Sequence, residues 1–160
     1  MTIEESVRNK IFELYEECIN SIEPFHRKLD LFIVPDELAQ RILNETNIDV
    51  SEHWVCIDNY GILHALEHHG SLIAESKRGQ IAVDKEDFVT MLDVFLYPDE
   101  IKLIGETAKT QRVLIQFIKR IKDKMYIVKE IRTITSQKKK KVSRLVFHTM
   151  YKKSKSRHFV

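Results

Sequence analysis

The chain has 160 residues, 43% of them hydrophobic and 31% charged. That length suits one domain with an appended helix, and the apolar fraction is enough for a core; no apolar run approaches the length that spans a bilayer. The net charge of +2 hides a division, because residues 1–108 hold 9 Lys and Arg against 22 Asp and Glu, whereas residues 109–160 hold 17 against 2. Such a polarity suits either a polyanionic partner for the basic part, most simply nucleic acid, or two parts that neutralise each other on packing.

The N-terminus, Met1-Thr2-Ile3-Glu4-Glu5, is acidic, unlike a secretory leader. Ile3, Val7, Ile11, Leu14, Cys18 and Ile22 recur at spacings of three and four, which predicts an amphipathic helix over 3–21 that Glu23-Pro24 ends. Leu29 to Ile33 reads as a short strand. Pro35 suits a first helical position ahead of Leu38, Ala39, Ile42 and Leu43. Trp54 to Ile57 reads as a second short strand. Asp58 then caps a helix that Gly70 stops, and a polar loop is expected from Glu75 to Gln80. Asp84 caps a further helix with an apolar face of Phe88, Met91, Leu92 and Phe95, broken at Pro98-Asp99.

From about residue 101 the period changes to two. Runs at Val113–Ile118, Met125–Arg132 and Val142–Tyr151, with turns at 122–124 and 136–141, predict an antiparallel meander. Helices first and strands last predict an α+β fold. The expected organisation is an N-terminal helix over 1–22, one α+β domain over 29–153 and a basic tail over 154–160. Lys138 to Lys141 form a loop tip, read as solvated and protective of a strand edge rather than as a specific binding site. Cys18 and Cys56 are the only cysteines. Both sit among apolar neighbours, which favours free thiols in a reducing cytoplasm over a disulfide. Four glycines leave little material for a nucleotide-cradling loop.

The chemistry concentrates in Leu63-His64-Ala65-Leu66-Glu67-His68-His69-Gly70. His64-x-x-Glu67-His68 fits the H-x-x-E-H zinc pattern, in which two imidazoles on one helix face share a metal and the carboxylate polarises its water. That reading lacks a third ligand, since the only acids after residue 108 are Asp123 and Glu130, in a turn and a strand. The other reading is acid–base catalysis on a phosphodiester. Histidines exchange protons near neutrality, and Arg and Lys on a sheet stabilise the developing charge. On a helical wheel His64 and His68 lie about 40° apart and His69 about 140° from His64, so the three cannot serve one site. Strict alternation in the last strand places Leu145, Phe147, Thr149 and Tyr151 on one face and Val146, His148 and Met150 on the other. Arg112, Lys119, Arg132 and Lys152 are candidate phosphate contacts on the basic sheet.

Ile57-Asp58, Leu63-His64-Ala65-Leu66, His69-Gly70, Glu75, Arg78-Gly79-Gln80-Ile81, Glu86-Asp87-Phe88, Pro98-Asp99 and the terminal Thr149-Met150-Tyr151-Lys152-Lys153 resemble the phage-associated branch of the Barnase–EndoU–colicin–RelE superfamily of nuclease domains. The resemblance covers about residues 29–153. It implies N-terminal helices packed on a four- or five-stranded antiparallel sheet and metal-independent RNA cleavage with no cofactor. Carried over, His64 and His69 are catalytic with Thr149 and Tyr151, Arg78 and Gln80 bind substrate, and His68 is an extra histidine. It also implies RNA as partner, an inhibitor or antitoxin protein as a second, and either a cytoplasmic location or delivery into a target cell. Two alternatives remain. One is a non-catalytic nucleic-acid-binding or protein-interaction domain, using Arg112, Lys119, Arg120, Lys129, Arg132 and Arg144 with Tyr126 and Tyr151 for stacking. The other is a zinc hydrolase built on His64 and His68.

Overall fold

The computed structural model describes residues 3–106 and 112–154. Its elements in chain order are α1 (Ile3–Asn20), β1 (Lys28–Ile33), α2 (Asp36–Thr46), β2 (Trp54–Asp58), α3 (Asn59–His69), α4 (Leu72–Lys77), α5 (Asp87–Leu96), β3 (Glu100–Glu106), β4 (Val113–Ile121), β5 (Lys124–Gln137) and β6 (Lys140–Ser154). The class is α+β, and β4 to β6 match the three expected runs of the meander, which β3 extends by one strand. The sheet nevertheless has six strands, in the order β1-β2-β6-β5-β4-β3. Four or five antiparallel strands is therefore corrected in two respects: β1 and β2 join the sheet, and β2 runs parallel to β6, with Val55 opposite Leu145. The physical reason is burial. Val55, Cys56 and Ile57 are three consecutive residues at most 1% exposed, so β2 is covered on both faces and sits inside a sheet rather than beside one.

One face of the sheet carries the main core. Ile11 and Leu14 of α1, Ile62 and Ala65 of α3, and Phe88 and Phe95 of α5 pack against Ile115, Phe117, Val128, Leu145 and Phe147. Phe88 meets Phe147 edge-on at 5.9 Å, a favoured aromatic geometry. α3 lies unusually close to β6. A Cβ at Gly61 would stand 2.5 Å from the Phe147 carbonyl oxygen and 2.9 Å from its ring. Gly→Ala inside a helix ordinarily stabilises. Here Gly61→Ala should destabilise by about 1–3 kcal/mol, as overpacking does, measurable by urea denaturation. Gly70 ends α3 for a similar reason. Its φ of −94° needs no glycine, but a Cβ there would meet the Leu66 carbonyl at 2.5 Å.

The β5–β6 ladder contains a bulge that alternation cannot foresee. Lys129 pairs with Thr149, yet Glu130 pairs with Phe147, leaving His148 as the extra residue. Phe147 and Met150, three apart, therefore both enter the core. Thr149 and Tyr151 do not share a face with Leu145 and Phe147 as strict alternation predicts; they lie on the opposite face, with Lys129. Glu130 opposes Phe147 and Ile115 and is fully buried, with neither carboxylate oxygen hydrogen-bonded among the described residues. Burial pushes its carboxyl well above the usual range, and the charge of Asp58 adds to the shift.

Other expectations are adjusted locally. The polar loop from Glu75 begins inside a helix, α4, which Ser71 caps by accepting from Ala74 N at 3.2 Å. The lysine tip is tighter than expected. Lys138 and Lys139 form a two-residue turn with φ of 49° and 66°, as a hairpin turn between twisted strands requires, and Lys140 and Lys141 already belong to β6. All four are exposed. Cys18 and Cys56 are buried free thiols. No helix among the described residues is long and apolar enough to cross a membrane. Of the expected basic tail, residues 155–160 lie outside the described residues.

Candidate active site

The site arises where β2 stops short. The pairing of β2 with β6 runs from Trp54 and Arg144 to Cys56 and Val146 and stops there. Asp58 then leaves the sheet and caps α3, its carboxylate accepting from Gly61 N at 2.8 Å. The next partner of β6 on that side is Ile81, whose N–H donates to Lys152 O at 2.8 Å. Between these points α3 fills the gap. It brings His64 over the β6 bulge, so that the His64 and His148 rings lie 4.9 Å apart. The His68 ring is 4.4 Å from His64 on its other side.

The imidazole pair borders a cleft of about 230 Å³, which Lys28, Asp58, Tyr60, Arg112 and Thr133 also line. Thr133 opposes Arg144, and Ile131 opposes Val146. These residues alternate with core-facing Leu145 and Phe147, so the cleft opens on the face away from the core. The Thr133 hydroxyl is buried and has no hydrogen-bond partner among the described residues. Both imidazoles sit below the ordinary histidine range. Burial is the main cause for His64, followed by the charges of His148, His68 and His69. Burial is also the main cause for His148, then Lys129, with Asp58 acting in the opposite sense. A pair that resists protonation holds a neutral base at neutral pH.

His69 belongs to a neighbouring cluster. Its Nδ1 is 3.3 Å from the Glu75 carboxylate. The other Glu75 oxygen accepts from Arg78 at 2.7 Å, and the same guanidinium nitrogen donates to the His68 carbonyl at 2.7 Å. Glu75 is fully buried, so this arrangement fixes the end of α3 rigidly. The His69 ring rests 5.4 Å from that of Tyr151, and Lys129 Nζ lies 5.7 Å from the same tyrosine ring. Burial pushes the Tyr151 phenol up. Thr149 is buried, and neither its hydroxyl nor the buried Gln80 side-chain oxygen has a hydrogen-bond partner among the described residues.

Of the sequence candidates, His64 and Arg112 thus meet in the cleft. His69, Tyr151 and Arg78 meet in the adjoining cluster, with Gln80 N bonded to Glu75 O at 2.7 Å. Three cations expected on the phosphate lie elsewhere. Lys119 donates to Tyr97 O at 2.7 Å. Arg132 Nε donates to His53 Nε2 at 3.1 Å. Lys152 is 5% exposed and forms an ion pair with buried Asp87 at 2.7 Å, on the core side. Arg144 grips Asp30 with two nitrogens at 2.8 and 3.1 Å, and Tyr126 is buried. The acidic and basic parts therefore do neutralise each other in places. For the zinc alternative, no three His, Cys, Asp or Glu side chains among the described residues gather so as to hold a metal ion. His148, Lys28 and Tyr60 also line the cleft but were not expected there from sequence. The available signal for His148 was a lone imidazole inside the buried run Arg144–Met150.

α1, α3 and α5 on the core face of a mostly antiparallel sheet, with imidazoles and cations lining a cleft beside β6, make an α+β domain. The chain belongs to the phage-Barnase-EndoU-ColicinE5/D-RelE like nuclease3 family (PBECR3), whose model matches residues 33–159. No curated protein and no solved structure matches it.

Proposed function

We propose that this protein is a metal-independent endoribonuclease in which His64 and His148 exchange protons with a scissile phosphodiester. The observation that carries this is the 4.9 Å contact of the two imidazoles at a cleft that also holds Lys28 and Arg112. Rings in contact leave no room for a phosphate between their faces, so the phosphodiester lies along their edges. The pair works with one proton. The neutral imidazole takes the 2′-hydroxyl proton, and the protonated one supplies the 5′-oxygen as it leaves. Lys28 and Arg112 offset the charge on the phosphorane, and the unpartnered Thr133 hydroxyl is available to it as a donor. The His69–Tyr151–Lys129 cluster extends the surface along the strand for the rest of the RNA. An inhibitor protein would act by covering this face.

The test is cleavage of an RNA panel in excess chelator. Cleavage should persist there and should stop when the nucleotide before the cut carries a 2′-deoxy sugar. Salt-sensitive retention of RNA without products would instead indicate a binding-only module. The pH profile follows from the imidazoles. Both are depressed in the folded protein, so above the ordinary histidine value both are neutral and the acid is missing. kcat/KM should peak on the acid side of about 6.5 and fall as pH rises. Lys129→Met removes a positive neighbour of His148 and should move the alkaline limb to higher pH.

A further inference from the structure

Tyr60 stands in the first turn of α3 and is 57% exposed, unlike the buried aromatics of the core. Its ring stacks on that of His26, with centroids 4.9 Å apart and planes at 28°. The His26 imidazole in turn lies 3.9 Å from the Asp58 carboxylate. The support beneath is built rather than accidental. Buried Asn59 donates from Nδ2 to Phe25 O at 2.6 Å, accepts from Arg27 N at 2.8 Å, and donates its own N–H to Arg27 O at 3.2 Å. The segment carrying His26 is thus fastened to the start of α3.

Tyr60 is also a wall shared by two hollows. On one side is the catalytic cleft. On the other is a hollow of about 330 Å³ with Ile22, Pro24, Phe25 and Leu63 in its lining. The two differ in charge. The cleft has Lys28 and Arg112, whereas the second hollow has no Lys or Arg in its lining and has one carboxylate, Glu23. A phosphate therefore favours the first and is repelled by the second. What suits an apolar hollow with an exposed aromatic wall, one residue's width from a phosphate site, is a nucleobase.

We propose that this second hollow receives a base next to the scissile phosphate, stacked on Tyr60, and that the enzyme thereby selects single-stranded RNA. The inference rests on the ribonuclease reading. A base in a duplex is already paired and stacked, so it cannot enter without melting the helix; an unpaired base can, and aromatic stacking accepts any of the four.

The experiment uses the full chain and two probes. One is a cleavable RNA oligonucleotide, single-stranded or annealed to its complement. The other is the 2′-deoxy version carrying 2-aminopurine next to the cut site, which reports stacking by fluorescence without cleavage. Wild-type protein should cleave the single strand in strong preference to the duplex and should quench the 2-aminopurine. Tyr60→Ala should lose the quench and weaken binding of the 2′-deoxy probe by about ten- to a hundredfold, the range of one aromatic stack. Tyr60→Phe should keep both. If the wild type cleaves RNA but treats single strand and duplex alike, or if Tyr60→Ala binds and quenches as wild type does, the stacking proposal is overturned while the ribonuclease reading stands. If no RNA is cleaved but the quench depends on Tyr60, the ribonuclease reading falls and the stacking site stands as a binding site.

Discussion

Replacing His148 with alanine should reduce RNA cleavage by about 10²–10⁴-fold, the range for losing a general acid or base. His64→Ala should do the same. On the proposed mechanism the two losses should not add, because the imidazoles would act as a pair and removing one would already remove the proton exchange. The double variant His64→Ala/His148→Ala should therefore be little worse than either single. Circular dichroism and the melting temperature separate this from unfolding, since both rings are partly exposed at the cleft. His68→Ala is the control. Its ring touches His64 at 4.4 Å but does not line the cleft, so its removal should shift the pH profile and leave most of the rate. Full activity in His148→Ala would remove that residue from the mechanism.

Lys152→Met should be a stability variant rather than a substrate-binding one. Lys152 and Asp87 have side chains 6% and 4% exposed and meet at 2.7 Å. Asp87 also accepts from Asp84 N at 2.8 Å, and Asp84 accepts from Asp87 N at 3.3 Å, one turn ahead of the helix. Burial pushes the Asp87 carboxyl up, against the pull of Lys152 and the Asp84 N–H. Without the lysine that carboxylate is buried and uncompensated. Breaking such a pair costs about 3–5 kcal/mol, a fall in melting temperature on the order of 10 °C for a chain of this size. Asp87→Asn in the same protein should recover much of the loss, because the amide keeps the Asp84 bond and carries no charge. A role on the phosphate predicts the reverse pattern, with lost activity, a weaker salt dependence and an unchanged melting temperature.

The contrast between these two residues shows what local pattern can reveal. α1, α2 and α5 were readable from their apolar spacing, and α3 also from its cap, Asp58 on Gly61 N, because spacing and cap are both local properties. The meander was readable because β3 to β6 are neighbours in sequence as well as in the sheet. The insertion of β2 beside β6 was not, because nothing within Trp54–Asp58 names its partner. The bulge at His148 was least legible. Alternation within one strand cannot register that the neighbouring strand offers Lys129 to Thr149 and Glu130 to Phe147. That single slip puts Thr149 and Tyr151 on the face away from the core. Lys152 and Glu130 failed for another reason, since charge in the sequence suggests exposure and both are buried. His64 was legible because a histidine-rich helix is unusual by composition alone.

β6 is the last of the six strands to be synthesised, yet it occupies the middle of the sheet. Long-range pairings of this kind form late, after nearer contacts have assembled. His64 is made early and His148 near the end, so the two imidazoles do not meet until β6 slots between β2 and β5. A ribosome is itself largely RNA, and under the proposed ribonuclease reading it carries this chain while the acid–base pair is still unassembled. Under that reading the order of synthesis delays the hazard, and completing the fold is what arms the protein.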